Sequence, residues 1–245
     1  MIRTTIALAA LLAAGATVAE TVTYEVDGRS FEGYFAAAEN PRGLVLIIHD
    51  WDGVDDYEHT RADMLAELGY DAFALDLFGA GVRPDTIEGR QAETRKLYGD
   101  RELMRRLILG GLETARGLSE AEATVVMGYC FGGAATLELA RSGEADGVVG
   151  YASFHGGVGT PEGQSWPSDA PPVLILHGGA DQNPSMTDIA AFVEEMEAAG
   201  LTYDIEVYSG APHAFTVFGS ERYRERADQR SWASFQNFLA ENLGG

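Results

Sequence analysis

This chain of 245 residues has very little cysteine, lysine or uninterrupted apolar sequence. Its one cysteine, Cys130, has no partner for an internal disulfide. Lys96 is the only lysine, and 17 Lys and Arg face 38 Asp and Glu, for a formal charge of −21. Such a surface repels phosphate backbones and anionic membranes and argues against a nucleic-acid partner. No stretch approaches the ~18 consecutive apolar residues that a membrane span needs. Fixed-period repeats and domain-dividing linkers are also missing. What is present is a 46% hydrophobic composition, enough for a real core.

Residues 1–19 have the layout of a secretory signal peptide. Met1-Ile2-Arg3 supplies a short positive end, Ile6 to Ala14 is uncharged and apolar, and small residues lead to Ala16 and Ala19. Either alanine fits the cleavage position. The alternative, a hydrophobic helix retained in the fold, lacks a capping residue and an amphipathic period. The expectation is a soluble protein exported to the periplasm or beyond, with residues 20–245 as one domain. Oligomeric state is left open. Oxidising compartments favour paired cysteines, so a lone exported thiol calls for burial or a chemical role.

The patterning predicts strands alternating with helices, hence an α/β fold: a mainly parallel sheet with helices on both faces and an N-terminal β-hairpin. The hairpin is expected over Val22–Glu39, turning at Asp27-Gly28-Arg29. Buried strands are expected at Gly43–Ile48, Asp71–Phe78, Ala123–Gly128, Gly147–Phe154, Pro172–Leu176 and Tyr203–Tyr208. Helices are expected from Asp56 to Leu68, with Met64, Leu65 and Leu68 on one face, and at Gly132–Ser142, Met186–Ala199 and Arg222–Leu243. Arg83–Leu118 reads as polar and helical, amphipathic in its second half.

Chemistry concentrates at Gly128-Tyr-Cys-Phe-Gly-Gly133, where a buried strand runs into a helix through a tight turn. This is the nucleophile-elbow pattern G-x-S-x-G with cysteine in the serine position. The glycines let neighbouring backbone pass closely, and the helix N-terminus is expected to lower the thiol's pKa and supply an oxyanion donor. A thiol nucleophile needs a base, and the base needs an orienting acid, in the chain order nucleophile, acid, histidine. Of the histidines at 49, 59, 155, 177 and 213, His213 lies after the last predicted strand and before the last helix. Asp181 follows the strand ending at Leu176, and Asp188 and Asp169 are fallback acids. The catalytic set is therefore Cys130, Asp181 and His213. Backbone amides of Trp51 and Phe131 are assigned to the oxyanion hole, and Asp50 is placed to contact the thiol.

These residues resemble the dienelactone hydrolase family of α/β-hydrolases. The resemblance rests on His49-Asp-Trp-Asp-Gly53, Asp76-Leu-Phe78, the cysteine elbow, Gly178-Gly-Ala-Asp181 and Pro212-His-Ala-Phe215. It implies a Cys-His-Asp triad and cleavage of a small ester or lactone through an acyl-thioester, without metal or organic cofactor. In the family an acidic residue, usually glutamate, holds the resting thiol neutral; the matching position here is Asp50. Members acting on dienelactone grip the substrate carboxylate with two arginines. Here those positions carry Val217, four residues after His213, and Gln91. Arg83, Arg90 and Arg95 are the nearby substitutes, with Arg90 and Arg95 taken as the substrate contacts. Two other readings stand beside the lactonase: a broad carboxylesterase that does not take dienelactone, and a catalytically silent binding protein. A redox thiol protein is disfavoured because the chain has no second, resolving cysteine.

Overall fold

The computed structural model describes residues 18–244. Residues 1–17, and with them nearly all of the segment read as a signal peptide, lie outside the described residues. Val18 and Ala19 already belong to the first strand, β1 (Val18–Val26). β1 pairs antiparallel with β2 (Arg29–Ala37). Asp27 and Gly28 make the connection, both at positive φ (53° and 71°), as a two-residue hairpin turn requires.

Six parallel strands follow: β3 (Leu44–Ile48), β4 (Asp71–Leu75), β5 (Thr124–Tyr129), β6 (Val148–Phe154), β7 (Val173–Gly178) and β8 (Tyr203–Tyr208). The spatial order is β1-β2-β4-β3-β5-β6-β7-β8, with β2 antiparallel to β4. Side chains of successive strand residues point to opposite faces, so each central strand feeds two cores. Leu44, Leu46 and Ile48 join one apolar cluster and Val45 and Ile47 the other. Helices α1 (Asp56–Glu67) and α6 (Glu225–Leu243) cover the second face with Leu65, Trp232 and Phe235. Helices α3 (Arg101–Leu118), α4 (Phe131–Ser142) and α5 (Met186–Ala199) cover the first. α2 (Ile87–Gly99) lies at the rim and buries only Thr94 and Leu97.

Three sequence expectations need correction. β4 ends at Leu75, not Phe78, because the buried Asp76 carboxylate turns the chain by accepting from the Phe78 and Gly79 amides at 2.9 and 3.1 Å. α6 begins at Glu225, not Arg222; the Arg224 amide bonds back to the Phe215 carbonyl at 3.0 Å, closing a loop instead of opening the helix. The buried face of α1 is Glu58, Arg61, Ala62, Leu65 and Ala66. Met64 and Leu68 are only half-buried. The true stripe keeps helical spacing but carries a glutamate and an arginine, and so escapes a search for apolar residues.

Candidate active site

Four loops at the C-terminal edge of the parallel strands converge on Cys130. It stands between β5 and α4 at φ 53°, ψ −112°, a strained conformation for a residue with a side chain. The strain is held by the Cys130 amide on the Phe154 carbonyl at 3.0 Å and by the Ala134 amide on the Cys130 carbonyl at 3.2 Å. A Cβ on Gly128 would collide with the Gly132 backbone, and one on Gly132 with the Ile48 and His49 carbonyls. Only glycine at both positions lets α4 press this closely on the ends of β5 and β3.

His213, from the loop after β8, reaches the elbow. Its Nε2 lies 3.0 Å from Cys130 Sγ, and its Nδ1 lies 2.8 Å from Asp181 Oδ2. Asp181 follows β7; its other oxygen, Oδ1, accepts from the Asn183 amide at 2.9 Å. Burial pushes the Asp181 carboxyl up, but the hydrogen bonds from His213 and Asn183 outweigh it, and the net shift is downward. The three residues assigned from sequence are therefore within hydrogen-bond reach in the expected order. The fallback acids are elsewhere: Asp188 closes the capping box of α5 with Ser185, and Asp169 is exposed.

The thiol itself departs from expectation. Burial, then the Asp50 carboxylate, push its pKa up to about 12, against the downward pull of the Phe131 amide. The helix N-terminus does act in the expected direction, but desolvation wins. Asp50 is buried and lines the same cavity as Cys130. Its Oδ1 accepts from the Asp52 amide at 3.0 Å, and no hydrogen bond joins it to the thiol among the described residues. Behind it lies Glu58, fully buried on α1, which accepts from the amides of Asp50 (3.4 Å) and Asp55 (3.1 Å). Both carboxyls are pushed well above the usual range, Asp50 by burial and then Asp52, Glu58 by burial and then Asp50.

His49 anchors the same loop. Its Nε2 accepts from the Leu77 amide at 3.1 Å, so the proton sits on Nδ1, which donates to the Asp50 carbonyl at 2.6 Å. The loop carrying Trp51 is thereby fixed over the elbow. Trp51 and Phe131, the assigned oxyanion residues, both line the cavity, whose volume is about 600 Å³.

The arginines named from sequence do not line this cavity. Arg83 is spent on the Val54, Val82 and Glu32 carbonyls. Arg90 donates to the Pro84 carbonyl at 3.1 Å, pairs with Asp52 at 3.3 Å and sits over the Trp51 ring at 5.5 Å. It braces the Trp51 loop from outside. Arg95 turns back along α2 to Gln91, whose carbonyl and side-chain oxygens are 2.9 and 3.0 Å away. The cation that does line the cavity is Arg222, which has no hydrogen bond or ion pair among the described residues. Nothing in the local sequence marks it, since the helix pattern appeared to start there. Tyr98 and Thr94 of α2 also line the cavity. No group of three or more His, Cys, Asp or Glu among the described residues is arranged to hold a metal.

An open sheet with its crossover helices, a nucleophile elbow after β5 and an acid and histidine after β7 and β8 define an α/β-hydrolase. The dienelactone hydrolase family model matches residues 31–243, and the chain belongs to that family and is a hydrolase. A Methylorubrum extorquens protein named "Putative carboxymethylenebutenolidase" is 29% identical over 215 residues, covering 83% of this chain and 73% of that one. A Bradyrhizobium protein named "Probable 2-oxo-3-(5-oxofuran-2-ylidene)propanoate lactonase" is 25% identical, covering 82% of this chain and 84% of its own. Among solved structures, a dienelactone hydrolase-like promiscuous phosphotriesterase from metagenomic libraries superposes with a TM-score of 0.85 at 28% identity, over 94% of this chain and all of that one.

Proposed function

We propose that the protein hydrolyses small esters or lactones, with Cys130 as nucleophile, His213 as general base and Asp181 as its orienting acid. The observation that carries this reading is the unbroken contact chain from Asp181 Oδ2 to His213 Nδ1 (2.8 Å) and from His213 Nε2 to Cys130 Sγ (3.0 Å). The thiol rests protonated. His213 takes its proton as sulfur bonds to the substrate carbonyl carbon, and the oxygen, now negative, is held by the Trp51 and Phe131 amides. Collapse breaks the ester C–O bond, and the leaving oxygen takes the proton from His213. Water, losing a proton to His213, then attacks the thioester and releases the acid and the thiol. Asp50 favours the resting thiol by repelling a thiolate beside it. The family relationship and the names of the relatives support an ester or lactone substrate.

Val217 and Gln91 supply no cation to the cavity, and Arg222 does. This favours an ester whose anionic arm lies toward the Arg222 wall, and a broad carboxylesterase is the second reading. The signal-peptide layout of residues 1–19 supports an exported enzyme. Hydrolysis of a neutral chromogenic ester, a carboxylate-bearing ester and a dienelactone tests both readings. Cys130→Ala and His213→Ala should each abolish turnover of all three, a loss of at least about a thousandfold. Unchanged turnover in Cys130→Ala would sink the mechanism. Arg222→Gln should raise KM for the carboxylate ester alone. An equal effect on the neutral ester, or ester turnover with no preference for the anion, would leave the broad esterase.

A further inference from the structure

His213 has a second imidazole beside it that the proposed reaction does not use. The His155 ring lies 5.2 Å from the His213 ring at an interplanar angle of 64°, and His155 is 1% exposed. It follows β6 at a positive φ of 43°, with its amide fastened to the Leu176 carbonyl at 2.9 Å. Its Nε2 meets the hydroxyl of Thr216 at 2.8 Å, and its Nδ1 has no partner among the described residues. Thr216, also fully buried, meets the Tyr57 hydroxyl at 2.7 Å. Tyr57 in turn lies 3.4 Å from Nε of Arg61, whose guanidinium also holds the Thr216 carbonyl at 3.1 Å.

The direction of this chain follows from its first member. A guanidinium only donates, so the Tyr57 oxygen accepts from Arg61 and the single Tyr57 proton turns to Thr216. The Thr216 oxygen then accepts, and its own proton meets no acceptor among the described residues other than His155 Nε2. That nitrogen must present a lone pair, so the ring proton sits on Nδ1. The opposite polarity would aim the Tyr57 proton at a cation. The neighbouring cationic and imidazole side chains, His213, Arg61 and His177, all disfavour a charge on His155. His213 and His177 lie on the sheet-edge side, Arg61 on α1 and Tyr129 on β5; of the carboxylates held by these neighbours, Asp228 is engaged with Arg61 and Asp181 with His213. Burial, then His213 and Arg61, hold the His155 pKa well below the ordinary value.

We propose that His155 is a positioning residue for the base, locked by the Arg61–Tyr57–Thr216 hydrogen-bond chain as a neutral Nδ1–H imidazole against the His213 ring. A neutral ring with its lone pair occupied buttresses His213 without competing for the proton taken from Cys130. It also adds no second positive charge when His213 becomes cationic. The catalytic half of this inference rests on His213 being the base; the tautomer does not.

Long-range proton–nitrogen NMR of the full-length, histidine-labelled protein reads the tautomer directly. The expected result is neutral Nδ1–H at His155 from about pH 8 to about pH 5, below the range where free histidine takes its proton. A wild-type Nε2–H tautomer, or a charged ring at pH 6, would overturn the proposal without any variant. Thr216→Val keeps the shape and removes the hydroxyl. It should lower kcat on the neutral ester about tenfold with KM unchanged, and Thr216→Ser should restore it. Wild-type kcat in a folded Thr216→Val overturns the positioning role. If that variant does not fold, Tyr57→Phe serves: it frees the Thr216 proton, so mixed tautomers at His155 support the chain and an unmixed Nδ1–H overturns it. Turnover surviving in His213→Ala would instead remove the base assignment and leave the tautomer result standing.

Discussion

Helix α1 places an acid and a base in the protein interior three residues apart, Glu58 and Arg61, and they serve different halves of the site. At i,i+3 the two could pair with each other, yet each turns to a different loop. Arg61 backs the loop of His213. It is paired with Asp228, donates to the Thr216 carbonyl and is surrounded by the rings of Tyr57, Tyr129, Phe218 and Trp232, each within 5.7 Å of its centre. Glu58 backs the Cys130 side, and the carboxyl that acts on it most strongly is Asp50. One half of the site is thus supported by a neutralised cation with satisfied donors. The other half is supported by two acids that cannot both ionise cheaply in one dry pocket. The difference fits the two tasks proposed for His213 and Cys130: a base needs a fixed ring, whereas a resting nucleophile needs its proton kept on.

The largest expected effect breaks the satisfied half. Arg61→Met strands the Asp228 carboxylate and should cost about 3–5 kcal/mol of stability in urea unfolding. Adding Asp228→Leu should recover most of that loss, because a buried pair replaced whole by apolar residues of similar size is close to neutral. If the double variant is no better than the single, the support comes from the aromatic cage and not from the charge pair.

An intermediate effect comes from the unsatisfied half. Asp50→Asn removes the charge beside Cys130 and should lower the thiol's pKa. Alkylation by iodoacetamide near pH 8 should then speed up about tenfold for each unit gained, while ester turnover does not rise with it. An unchanged alkylation rate would mean that burial alone keeps the thiol protonated. The smallest effect is on the pH dependence of stability. Glu58 holds its proton more tightly folded than unfolded, so the folded chain keeps a proton that the unfolded chain releases above about pH 4.3. Its contribution to stability therefore declines as pH rises from there. Glu58→Gln abolishes that decline, so its Tm relative to wild type should climb between about pH 5 and about pH 8. A Tm difference that stays flat would show that Glu58 is not held protonated.

The turn at Cys130 and the residues that meet there, His213 and Asp181, were legible from sequence because each signal is local. Two glycines around Cys130, a strand before it, a helix after it, and His213 and Asp181 on loops that directly follow strands all lie within short windows. The sheet was legible for the same reason, through continuous apolar runs such as Leu44–Ile48. What stayed hidden is long-range. The buried stripe of α1 contains Glu58 and Arg61, whose burial depends on partners at Asp50 and Asp228, so its apolar period was displaced toward Met64 and Leu68. Arg222 was read as the first turn of a helix because Phe215 closes a loop on Arg224, a contact no local pattern announces. Arg90 and Arg95 were plausible as anion contacts by position alone, but their donors are occupied by Pro84, Asp52 and Gln91.

Having a single thiol in the whole chain makes the enzyme countable. A mechanism-based reagent that only the folded site can activate marks Cys130 and no other cysteine when it forms one adduct. The mass shift of the intact protein then reports the fraction of competent molecules in a preparation, without a substrate and without a reference enzyme. Rates measured on any variant above can thus be expressed per working site, separating a slower catalyst from a smaller number of catalysts.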